Sequence, residues 1–489
     1  MKTSVAAIMS VLVVLALALL FLGGPDREYT TSSAKAYERY EEGVEQLYAV
    51  QRTKAIETLR EAIALDPDFA MAWAMLSNAQ LHEGTDEAQA SAATADSLAR
   101  LLPNDLERAK VQLVVSGIQG PNSYNGDSLI AYILAEQPDN LLANYSRAAL
   151  LFYRREEGAA EAFRHVLEIE PNYALAYNML GYLEANRGNY DEALENLRKY
   201  AFMAPDLANP HDSLGEVLSW MGRYDEAEKE FLTALRLQPD FHYSLVNLGE
   251  VYMHRGQLAK GVEIMEGVRT QVKGTRLERN IDEFLIRTYY SFELYDESLA
   301  AIDSYVEHSP ESTSAQYFKA IAAFMRGNET ECQAHLERFR QELLSNDNPD
   351  DEYIQQHLQR MEHQFAAITA QAGGDHVTAA AEWGAMLELT DRAAPHELWW
   401  VLWRQGESLL ASGQSSQALD NAFKILEVNP QLIRPLLLMV RAALDAGEPE
   451  IARKAIKRLQ KIMPEADADL PAQQTYRDLL SEITSPATS

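Results

Sequence analysis

ALAYNMLGYLEANRGNYDEALENLRKYAFMAP, residues 174–205, decides how the rest of this chain is read. Tyr177, Leu180 and Gly181 fall three and four positions apart, on one face of a first helix. Gly188-Asn189 breaks that helix, because both residue types tolerate turn conformations. Ala193, Leu197 and Tyr200 then form the inner stripe of a second helix, and Pro205 stops it. Gly181 and Ala193 are small, as two closely approaching helices require. A large side chain at either place is expected to overpack the contact at a cost of roughly 1–3 kcal/mol.

The unit recurs in register. Pro171, Pro205 and Pro239 are 34 residues apart, and so are Gly181, Gly215 and Gly249. Tyr190-Asp191-Glu192-Ala193 returns as Tyr224-Asp225-Glu226-Ala227. Leu214, Ala227, Phe231 and Ala234 fill the next unit, and Leu248 and Tyr252 the one after. A period of 34 with this pattern resembles the tetratricopeptide repeat. Upstream, Gly43, Ala55, Leu59, Ala62 and Pro67 fit one unit, and Trp73, Leu76 and Pro103 a second. Residues 105–138 make a degenerate third, bent at Gly120-Pro121-Asn122, and Ala159, Phe163 and Pro171 close a fourth. The register slips after Val268 and resumes through Leu285 and Tyr295-Asp296-Glu297. Another unit follows around Gly327, a weaker one around Trp383, a good one around Gly406 and the last around Gly447. A final helix with a polar outer face is expected over 475–483.

About twelve repeats result, so the expected fold is all-α. The resemblance implies a right-handed superhelical solenoid of tetratricopeptide-like helix pairs, each packing only on its neighbours. It also implies a concave face lined mainly by first helices, which receives an extended peptide or a partner helix. The domain layout reads as a signal anchor or signal peptide over 1–24, a polar linker over 25–33 and a first array over 34–344. A linker over 345–351, a second array with a capping helix over 352–484 and a tail over 485–489 complete it.

Residues 5–22 are apolar except for Ser10, about long enough to span a bilayer. Phe21 and Leu22 stand where a signal-peptidase site needs small residues, which favours an uncleaved anchor over a cleaved signal. Lys2 before the run favours an array outside the cytoplasm, on the periplasmic side or exported, over a cytoplasmic-facing one.

The resemblance assigns groove-facing places. The fifth places are Asn144, Asn178 and Asp212, and the ninth include Tyr182, Glu216 and Glu250. Some family members grip a partner's terminal carboxylate with cations there; Asp212 and Glu216 put that mode in doubt. Asparagine suits a groove, since its amide both donates to and accepts from a bound backbone. With Leu402 in the core, Trp400 and Trp403 fall at the second and fifth places as an aromatic anchor pair. A register one residue off would bury both instead.

No phosphate-binding glycine loop or His-Glu-x-x-His motif is present, and neither a cofactor nor a metal is expected. Cys332, the only cysteine, reads as a small residue in a helix contact. The net charge of −30 argues against nucleic acid and permits a basic or neutral protein partner. The expected function is a non-enzymatic protein-interaction scaffold tethered at the membrane. The alternative is a regulatory or sensor subunit of a separate envelope or signalling enzyme.

Overall fold

The computed structural model describes residues 27–48, 51–80, 85–119, 124–154, 156–310, 312–345, 352–390, 395 and 398–484. Among these residues there are 25 α-helices, one short 3-10 turn and no strand. The helices pair as the period demands. Ala174–Asn186 precedes Tyr190–Met203, Ala208–Trp220 precedes Tyr224–Leu237, and His242–His254 precedes Leu258–Gln271. Twelve such pairs run from Ala34–Tyr48 to Pro449–Ile462, and Pro471–Thr484 follows alone.

The small residues do what the packing requires. A Cβ on Gly181 would lie 2.6 Å from Leu197 Cγ, and one on Gly215 2.7 Å from Phe231. There the space is taken by a side chain of the second helix. In the next pair the backbones themselves meet: a Cβ on Gly261 would lie 2.6 Å from the Gly249 carbonyl oxygen.

The chain divides after Leu180 into two compact units. In the first, Ala55, Leu59, Phe69, Met71 and Val111 share one buried core. Tyr173 packs its ring 4.8 Å from Tyr48 and 4.9 Å from Tyr145, which joins the first pair to the fourth. The segment expected as a polar linker is pinned to this unit from residue 28. Lys110, only 2% exposed, pairs with Glu28. The backbone amide and hydroxyl of Thr30 both donate to Glu107 at 2.6 Å, and Thr31 and Ser32 donate to Asp66. Charged groups buried this deeply need such partners, so residues 28–32 belong to the fold.

Three further expectations concern residues outside those described: the apolar run at 5–22, the linker over 345–351 apart from Ser345, and the tail at 485–489. Among the described residues no helix is long and apolar enough to cross a membrane. Helices on both sides of the 345–351 segment contribute to one core, with Met265 and Ile281 beside Leu436 and Ile456.

The second unit departs from nearest-neighbour packing. Gly188, Gly222 and Gly256 make the turns of three successive pairs with φ of +82°, +71° and +79°. Each faces a residue some 200 positions further on: Gly188 faces Pro395, Gly222 faces Asn429 and Pro430, and Gly256 faces Ile433 and Ala466. Hydrogen bonds stitch the seam. Asn429 Nδ2 donates to Tyr224 Oη at 3.0 Å, Gln431 donates to the Gly222 carbonyl, and the Asp467 amide donates to the Gly256 carbonyl at 2.9 Å. Met253 and Leu258 share a buried core with Met463 and Leu470. This unit therefore closes on itself, because its second turn row fits the first.

Gly256 and Gly447 test the seam, since both hold a left-handed backbone, with φ of +79° and +76°. A Cβ on Gly256 would lie 2.6 Å from Ala466 Cβ, whereas one on Gly447 meets nothing within 4 Å. Gly447→Ala is expected to cost about 1 kcal/mol of backbone strain. Gly256→Ala is expected to cost about 1–3 kcal/mol more, from overpacking. Urea unfolding of both variants checks this; equal costs would mean that the seam contributes no stability.

Candidate functional site

The first helices of the fifth, sixth and seventh pairs carry Tyr182, Glu216 and Glu250 at 34-residue steps, so the three side chains occupy one place in successive repeats. Asp212 lies one helical turn before Glu216 on the same face. Tyr182 Oη donates to Glu216 at 2.6 Å, and its ring lies 5.9 Å from that of Trp220. Asp212, which is buried, accepts from Ser244 Oγ at 2.7 Å and Asn247 Nδ2 at 3.2 Å. Glu250 borders a cavity of about 50 Å³ with Trp220, His254, Trp399 and Asn429. Within the second unit the structure thus brings four of the expected residues into one row.

That row is electrostatically strained. Burial, opposed by its two hydrogen bonds, pushes the Asp212 carboxyl up to about 6. Burial and the neighbouring Asp212 charge push Glu216 up to about 7. Burial and the charges of Glu216 and Asp212 push Glu250 up to about 8. Glu216 and Glu250 keep some accessible surface, but protein surrounds both carboxyls closely and disfavours their charge. At the end of the row His254 stacks 6.1 Å from Tyr224 and meets Trp399 edge-on at 6.3 Å. Burial lowers its imidazole to about 4, so it is neutral at pH 7.

The other expected residues lie elsewhere. Asn144 and Asn178 belong to the first unit. Asn144 is a correction: it is 3% exposed, and its amide donates to the Pro138 and Asn140 carbonyls. It ties down the start of its own helix, where carbonyls of the preceding turn lie within reach. Asn178 keeps a buried side-chain oxygen with no hydrogen-bond partner. The tryptophan pair is split. Trp400 packs 5.3 Å from Trp383 and opens onto a cavity of about 620 Å³. Trp403 is also a correction: it is 2% exposed, donates to Glu407 at 3.2 Å and is covered by Arg404 and Arg434. The buried stripe of its helix is wider than one row, taking in Leu402 and Trp403 together.

Arg360 and Arg434, which also border the larger cavity, escape sequence reading. Arg434 left one signal: it stands near the start of the helix Ile433–Asp445, just before the apolar run 435–440. Cys332 is buried in the core beside Phe318 and Phe339. Among the described residues no group of three or more His, Cys, Asp or Glu is placed to hold a metal ion.

One tetratricopeptide-repeat family model matches residues 162–195, and another matches residues 40–105 and 214–271. No curated protein matches the sequence. Among solved structures, the human IFIT1 dimer with m7Gppp-AAAA is similar at 13% identity, over 89% of this chain and 91% of that one, with a TM-score of 0.38. Yeast Tom70 is similar at 12% identity over 91% and 95%, with a TM-score of 0.35. PilF of Pseudomonas aeruginosa is similar at 18% identity over 44% of this chain and 99% of its own, with a TM-score of 0.34. Likeness at TM-scores this low says nothing of what this chain binds.

The row makes stability depend on pH. Asp212, Glu216 and Glu250 hold protons more tightly folded than unfolded, with folded values of about 6, 7 and 8. Their contribution is complete below about pH 4, the unfolded carboxylate range, and is lost as pH rises through those values. His254 works in the opposite sense: its contribution is present above about pH 6.5 and is lost as pH falls toward about 4. Above about pH 6.5 the carboxylates alone among these four act, so Tm is expected to fall between about pH 6.5 and 9. Glu250→Gln, uncharged at every pH, should raise Tm at the alkaline end and flatten the fall. A wild-type slope in Glu250→Gln would mean that Glu250 ionises as freely folded as unfolded.

Proposed function

This chain is a tetratricopeptide-repeat protein, and we propose that it works as a non-enzymatic scaffold that receives an extended basic segment of a partner protein along its first-helix row. The observation that carries the reading is the division of labour within each pair. Second helices bury their stripes completely, at Ala193, Leu197, Ala227 and Phe231. First helices instead present Tyr182, Glu216 and Glu250 at matching places with surface left on each. A lysine or arginine brought to this row relieves repulsion among carboxylates that the fold already crowds. Binding then draws their proton affinities down and releases protons, so it tightens as pH rises. The net charge of −30 supports a basic protein segment over phosphate-rich nucleic acid and steers it in from a distance.

The apolar run at 5–22 supports a tether, with the array outside the cytoplasm. Only residues 23–27 separate that run from Glu28, which Lys110 holds. Six residue steps reach at most about 20 Å, so a membrane-held array of this kind stays close to the bilayer.

Two measurements test these readings. Crosslinking of the full chain in native membranes should recover a protein partner. The Glu216→Gln/Glu250→Gln double variant, relieved of its own repulsion, should fold and yet bind that partner about tenfold or more weakly. Recovery of no protein defeats the scaffold; equal recovery by the variant defeats the row. Alkaline extraction should leave the full chain in the membrane and release a chain lacking residues 1–24; release of both would remove the tether.

A further inference from the structure

The second unit holds a partly open cavity of about 620 Å³, within the range of small-molecule sites. Its wall is mostly apolar and aromatic, with Phe284, Ile321, Tyr317 and Trp399 among its residues. Its charged lining has the opposite balance to the chain as a whole. Among the described residues, Arg287, Arg360 and Arg434 border it, against Glu283 alone among carboxylates, in a protein of net charge −30. Arg287 and Glu283 stand 3.7 Å apart. Arg434 is 9% exposed and gives one nitrogen to Glu293 at 3.1 Å. Glu293 itself holds φ of +62°, at the turn place that glycine fills in the preceding pairs, and so presents its carboxylate to Arg434.

What remains on this wall is one-sided. Arg434 Nε and Nη2, Arg360 Nε and Trp400 Nε1 are buried without hydrogen-bond partners. All four are donors, and no side-chain acceptor among the lining residues described is left buried and unpaired. Buried donors without acceptors are costly and uncommon. A peptide backbone would bring donors and acceptors in equal number, whereas this wall asks only for acceptors.

We propose that this cavity binds a small amphipathic anion: an apolar, acyl-like body lying against the aromatic wall, with a carboxylate or phosphate head accepting from Arg434, Arg360 and Trp400. The apolar body supplies contact area and the guanidinium groups fix the head by charge-assisted hydrogen bonds. The site adjoins the end of the acidic first-helix row through His254 and Trp399, but its arginines would repel the basic segment that the row attracts.

Titration of the full chain with dodecanoate, dodecyl phosphate and dodecanol, each below its aggregation limit, tests this by calorimetry and by the fluorescence of Trp399 and Trp400. The anions should saturate at one molecule per chain, and dodecanol should bind about tenfold or more weakly. Which of the two anions binds more tightly identifies the head group. Arg360→Met, which breaks no ion pair described above, should weaken dodecanoate by about tenfold and leave dodecanol unchanged. Arg434→Met should do the same, and Ile321→Trp should block all three by filling the space. Dodecanol binding as tightly as the anions, or Arg360→Met retaining full affinity for both anions, overturns the proposal. So does an apolar peptide that occupies the cavity when neither anion does.

Discussion

The turns at Gly188, Gly222 and Gly256 lie against residues near 395, 430 and 466, and the interior of the second unit depends on that meeting. A helix pair cannot hide its apolar stripe alone, and stacking answers that need only between neighbours. The seam adds contacts that stacking does not supply. Without it Met253 and Leu258 would lose part of their cover, His254 would be more exposed, and the larger cavity would lose part of its wall. An open array frays from its ends, repeat by repeat. Here the sixth and seventh pairs are held from both sides, so their loss is coupled to the loss of the last two.

Two electrostatic environments sit within this one unit, and burial creates both. Along the first-helix row, carboxylates one repeat apart are withdrawn from water and left to repel one another, which raises their affinity for protons. At the cavity, guanidinium groups are withdrawn from water with fewer acceptors than donors. Neither arrangement favours the fold in isolation, and each is tolerated because the apolar core around it is large. The first-helix row is regular, repeating at the period of the chain. The cavity is irregular, assembled from residues of several pairs that share no repeat position.

That difference explains what could be read in advance. Helix pairs, their number and the small contact residues follow from spacing, because each is set by residues within about one repeat of one another. That Tyr182, Glu216 and Glu250 share one repeat place was legible for the same reason. The seam was not, since Asn429 and Tyr224 meet across 205 residues with no local trace. Nor was the second use of the turn glycines, because the need for a positive φ already accounts for a glycine at each. Trp403 and Asn144 stood at plausible groove places. The width of a buried stripe and the pull of nearby carbonyls placed them elsewhere. The pinning of residues 28–32 hid behind their polar composition: threonine and serine read as linker until the buried Glu107 and Asp66 that need them are seen.

The seam also carries a constraint on how this protein can change over generations. Open repeat arrays grow and shrink by duplicating or losing whole units, because any unit fits beside any other. Here Gly188 and Gly222 must each meet a residue 207 positions downstream, Pro395 and Asn429. An extra helix pair inserted between the two rows would carry one past the other and leave both edges bare. The copy number of this stretch is therefore fixed by geometry, while the segments beyond the seam remain free to lengthen.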